Sequence, residues 1–185
     1  MITRVLAAAA LTVGALAAAP PPASAGPAPG EVLVDQADRT GDVDVFDGGG
    51  TSPTTAQRRT IDLERFTVTR RGDGVRLSFR IARITGSRTY DQVVTAQLGR
   101  AGSLLEVLAN PQDRHASAFV DGDTICLADV TTSRRTDTVR VDLPAGCVPH
   151  GSGPLRVTTY TQEKNGSGPG FSEDTLRVKG TVSLR

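Results

Sequence analysis

Five aspartates fall between Asp35 and Asp47: Asp35, Asp38, Asp42, Asp44 and Asp47, in the run D-Q-A-D-R-T-G-D-V-D-V-F-D, with only Arg39 to offset them. Carboxylates held this close repel one another unless they are fully solvated or share a cation. Hard cations suit such a segment, because calcium takes about six to eight oxygen ligands and draws them from carboxylates and loop carbonyls. Three readings are open: a solvated acidic loop, a structural calcium site, or a carboxylate pair for acid–base work. Asp35, Asp38, Asp42 and Asp44 are the candidate ligands within the loop. Asp42 and Asp44 open like an EF-hand, but Asp47 stands where that loop needs glycine, and no glutamate closes it.

Other chemistry-bearing residues are sparse. His115 and His150 are the only histidines, and neither lies at ligand-like spacing from a cysteine. Neither a G-x-S-x-G elbow nor an H-E-x-x-H helix motif occurs. Both histidines are expected at the surface, no catalytic residue is nominated, and the chain is expected not to be an enzyme. Arg71-Gly72-Asp73 spells an adhesion tripeptide, yet a turn explains it. Asn165-Gly166-Ser167 matches a glycosylation sequon inside a Gly-rich loop that explains it equally well.

The elements that must position these residues follow from the patterning. Residues 1–25 have the features of a signal peptide: Arg4, an apolar run from Val5 to Ala19, three prolines, then Ala23-Ser24-Ala25 as a cleavage signal. Residues 26–30 form a Pro/Gly linker, and 31–185 are expected to be one domain, secreted and free of membrane insertion once the leader is cleaved. Without Arg4 the basic and acidic residues balance, which argues against nucleic-acid binding. Cys126 and Cys147 are the only cysteines, and an even count in an exported chain reads as one disulfide.

From Phe66 onward, apolar and polar residues alternate. Val75, Leu77, Phe79 and Ile81 interleave with Arg76, Ser78 and Arg80, and similar runs cover Val94–Leu98, Leu104–Leu108, Ala116–Val120, Thr124–Leu127, Val139–Leu143, Leu155–Thr159 and Leu176–Leu184. Period two marks strands with one buried face. Asp73-Gly74 and Asp121-Gly122 are hairpin signals. The expectation is an all-β, antiparallel sandwich of about eight or nine strands, jelly-roll or immunoglobulin-like, without helix. Residues 35–59 are expected to be a long loop.

The pattern Asp35, Gly41-Asp42-Val43, a Gly/Thr-rich loop, then Ile61-Asp62-Leu63 and an Asp-Gly hairpin resembles exported bacterial β-sandwich domains, including the family 9 carbohydrate-binding modules and their uncharacterised secreted relatives. Leu143-Pro144-Ala145-Gly146-Cys147 is similar to a strand-Pro-x-x-Cys segment of those relatives. The resemblance implies that Asp35, Asp42 and Asp62 brace the loop or bind a cation, and it adds Asp62 to the candidate metal ligands. It also implies carbohydrate binding. The chain has no Trp, so a sugar-stacking platform would fall to Tyr90 and Tyr160, with Phe66, Phe79 and Phe119 assigned to the core. The preferred expectation is a non-catalytic, calcium-stabilised binding module outside the cell, with a polysaccharide or protein partner. A secreted hydrolase and a small secreted inhibitor or envelope protein are the alternatives, the last acting through a loop near Pro149 or over 165–170.

Overall fold

The computed structural model describes residues 30–46, 54–100, 103–148, 150–164 and 171–185. The expected signal peptide, Asp47, the sequon, Pro149 and the loop at 165–170 lie outside them. In chain order the strands are β1 (Val32–Ala37), β2 (Asp44–Val45), β3 (Leu63–Arg71), β4 (Gly74–Ile81), β5 (Tyr90–Arg100), β6 (Ser103–Ala109), β7 (His115–Val120), β8 (Asp123–Ser133), β9 (Thr138–Leu143), β10 (Ser152–Gly153), β11 (Leu155–Glu163), β12 (Ser172–Arg177) and β13 (Val182–Ser183). One short helix, α1 (Thr55–Arg58), runs into a 3-10 turn at Arg59–Ile61.

Every pairing is antiparallel, as the alternation predicted, but hydrogen bonding is continuous through one sheet of 11 strands in the order β1-β3-β4-β9-β8-β7-β6-β5-β11-β12-β2. β10 and β13 form a separate two-stranded pair. The strand total therefore exceeds the expected eight or nine. β2, β10 and β13 are two-residue pairings too short to show a period, and the run expected from Leu176 to Leu184 divides into β12 and β13. The sheet curls until its two ends meet. Gln36 on β1 makes the junction: its Nε2 donates to the Arg177 carbonyl (3.1 Å), and its Oε1 accepts from Lys179 N (3.0 Å).

The inner face is the core. Val34, Phe66, Leu77, Phe79, Leu98, Val107, Val141, Val157 and Leu176 belong to one buried cluster drawn from both halves of the curl. Phe66 and Phe79, opposite each other on β3 and β4, stack at 5.1 Å between centroids. Cys126 and Cys147 are bonded, as expected. No described helix is long and apolar enough to cross a membrane.

Candidate functional site

At one end of the curl the inward-facing residues turn polar. Gln92 on β5, Thr159 and Thr161 on β11, and Ser172 and Asp174 on β12 are all buried. Left alone, such groups would each lose their bonds to water. The 54–62 segment satisfies three of them: Thr159 Oγ1 donates to Ile61 O (2.5 Å), Ser172 Oγ to Arg58 O (2.9 Å), and Gln92 Nε2 to Thr60 Oγ1 (3.0 Å). The segment is helical because Thr54 and Gln57 form a capping box, each side chain bonded to the other's main-chain N–H. That T-x-x-Q signal was present in the sequence, inside a stretch expected to be loop.

This docking delivers Asp62 to the acidic loop. Gly41 turns the loop at φ 89°, a conformation glycine adopts without strain, and its N–H donates to Asp62 Oδ2 (2.8 Å). Asp174 Oδ2 accepts from Leu63 N at 2.6 Å. One carboxylate oxygen from each of Asp42, Asp62 and Asp174 lies within 4.8 Å of the others. Asp62 and Asp174 are only 6% and 4% exposed, while Asp42 is exposed. Asp62 Oδ1 and Asp38 Oδ2 are buried without a hydrogen-bond partner. None of these four carboxylates forms an ion pair among the described residues.

The electrostatics follow. Burial pushes the Asp174 carboxyl up to about 6; the Leu63 N–H opposes the shift, and the charges of Asp38, Asp42 and Asp62 add to it. Burial also raises Asp62, against the Gly41 N–H and Arg59 and with Asp42 and Glu64. Asp38 rises for the same leading reason, reinforced by Asp42 and Asp62, while the Arg39 N–H opposes. An all-oxygen, anionic set suits hard cations such as calcium or magnesium, not zinc or copper.

Of the expected ligands, the structure groups Asp42 with Asp62 and sets Asp38 beside them. Asp35 and Asp44 do not join them. Asp35 lies on exposed β1, where the Arg65 guanidinium grips both its oxygens (2.6 and 2.5 Å) and holds its carboxyl below the usual range. Asp44 is exposed on β2 opposite Glu173. Asp174 was missed. Its signal is parity: it shares a period-two face with Ser172 and Leu176.

The expected aromatic platform is not displayed. Tyr90 is 1% exposed, with its hydroxyl against Thr85 Oγ1 (3.1 Å), and Tyr160 is half-buried. Phe119 is half-buried rather than in the core, and the exposed ring is Phe46. His115 makes an exposed contact with Asp129 (3.5 Å), and exposed His150 accepts Arg185 Nη1 at 2.6 Å.

No family model matches this chain, and no curated protein or solved structure matches it significantly.

Beyond the acidic group, an open furrow of about 630 Å³ runs between β1 and residues 178–183. Val34 and Val182 form its floor, and Gln36, Lys179 and Thr181 stand along it.

Proposed function

We propose that this chain is a secreted, non-catalytic binding module, a sandwich variant in which the two halves of the curled sheet act as layers, and that it holds an extended protein segment in the furrow beside β1. The furrow carries the reading. Among the described residues β1 has a strand partner only on its β3 side, so its other edge offers main-chain N–H and C=O groups to an incoming strand, with apolar floor residues for alternate side chains. The lining contains no aromatic ring, which favours a peptide over a sugar.

Display selection with extended peptides, run beside a glycan array, tests this. Selected peptides should lose at least about tenfold in affinity when Thr181→Arg fills the furrow. Binding to glycans alone would change the ligand class to polysaccharide, and binding to neither sinks the reading. Export is checked separately: protein recovered from the medium should begin at Gly26, and retention inside the cell would overturn secretion.

The raised carboxyl of Asp174 beside Asp42 and Asp62 favours one rival, a secreted hydrolase with a general acid at that position. Turnover of glycoside or ester substrates that Asp174→Asn abolishes would establish it.

A further inference from the structure

We propose that a calcium ion binds between Asp42, Asp62 and Asp174 and locks the seam where the two ends of the curled sheet meet. At this seam, among the described residues, the wall is not closed by strand pairing. β3 lies next to the β1 end of the sheet and β12 next to the β2 end, and no ladder joins them. Among the described residues the gap is spanned by side chains: Gln36 to Arg177 and Lys179, Asp174 to Leu63 N, and Thr159 and Ser172 to carbonyls of the segment that leads into β3. The acidic loop itself crosses here, since the chain leaves β1 after Ala37 and enters β2 at Asp44. Asp42 therefore comes from the crossing loop, Asp62 from the residue just before β3, and Asp174 from β12. A shared ion ties three segments that the backbone leaves separate.

Two observations point to a ligand besides the clustering of acids. Asp62, more than nine-tenths buried, contributes one oxygen to the group; its Oδ2 accepts from Gly41 N, while its Oδ1 has no hydrogen-bond partner. Asp38 Oδ2, in the same loop, is likewise buried and bare. Leaving a buried carboxylate oxygen without a partner is unfavourable, and a divalent cation satisfies several at once. Calcium takes carboxylate and carbonyl oxygens in a flexible shell, whereas magnesium demands a strict octahedron and gives up its waters reluctantly. One oxygen each from Asp42, Asp62 and Asp174, all within 4.8 Å of one another, can share one such ion. Asp38 is the nearest further oxygen donor, and water and loop carbonyls complete a shell of about six to eight.

The test uses the mature, disulfide-bonded chain stripped with chelator. Calorimetric titration with calcium chloride should give one saturable site. At a hundredfold excess over Kd, calcium should raise Tm by about 5 °C or more. Asp174→Asn keeps an oxygen acceptor for Leu63 N and should fold, as far-UV circular dichroism would verify, yet lose calcium affinity by at least about tenfold. Asp62→Asn should behave alike, and Asp44→Asn, outside the group, should bind as wild type. Hydrogen exchange reads the latch itself: calcium should slow exchange in 34–37 and 177–179. No saturable calcium binding overturns the proposal. So does equal affinity in Asp174→Asn and Asp62→Asn, a preference for magnesium, or binding that leaves exchange at the seam unchanged.

Discussion

Asp174 is a carboxylate on the inner face of a β-sheet, 4% exposed, with Asp38, Asp42 and Asp62 around it and only the Leu63 N–H in direct support. Its raised pKa fixes the sign of a pH effect. A carboxyl that holds its proton more tightly when folded adds stability below its unfolded pKa, and that stability is lost as pH rises through the folded value. The window runs from the ordinary carboxyl value of 3.8 to about 6. Asp62 and Asp38 shift in the same direction, with Arg59 and Glu64 acting oppositely on Asp62. In chelator, Tm should therefore fall as pH rises from about 4.5 to 7, and Asp174→Asn should flatten that slope and raise Tm at neutral pH. A Tm that climbs with pH in chelator would contradict the assignment. Asp42 and Asp62 were legible through Gly41-Asp42-Val43 and Ile61-Asp62-Leu63. Asp174 was not, because Ser172 to Thr175 carries no apolar residue to announce a strand, and only its parity with Leu176 marks it as inward.

The hairpin between β3 and β4 shows how far local pattern reaches at the scale of an element. Asp73-Gly74 was expected to form the turn, but the turn residues are Gly72 and Asp73, and Gly74 opens β4. Gly74 is needed for a different reason: a Cβ there would lie 2.2 Å from the Leu143 carbonyl oxygen, where the chain leaves β9. Gly74→Ala should destabilise by about 1–3 kcal/mol, read from the urea midpoint, whereas Gly122→Ala would strain only its own turn. The disulfide acts on the same side of the sheet, joining β8 to the 3-10 turn at Ala145–Cys147 across 21 positions. Its reduction should cost about 3 kcal/mol, measured by denaturation with and without reductant, and denatured, unreduced protein should show no free thiol. Strands of six or more residues with clean alternation were visible in the sequence because burial on one face imposes period two. β2, β10 and β13 were not, since a two-residue pairing is decided by its distant partner. α1 stayed hidden because its capping box sits among Thr and Pro residues that read as loop.

For the whole molecule, the governing fact is that the sheet is assembled from distant segments. β4 pairs with β9, β5 with β11, and β2 waits for β12 near the chain's end. Such topology requires long loops to close before contacts form, so disulfide-intact protein should refold on the order of seconds or slower, with an intermediate lacking the β2–β12 pairing. Stopped-flow fluorescence of the tyrosines would follow it, and submillisecond single-phase refolding would refute the expectation. Strand character was readable from the chain, but sheet order was not, because period two says which face is buried and nothing about which neighbour lies alongside. The junction at Gln36 carries one more consequence. An outer strand with bare main-chain groups is a template on which a second molecule can add its own strand, and chains that do so precipitate as fibres. Here a single amide side chain, with Lys179 beside it, guards that template. Replacing Gln36 by alanine should leave the fold intact and make concentrated solutions turbid, which would tie the protein's colloidal stability to the closure of its own sheet.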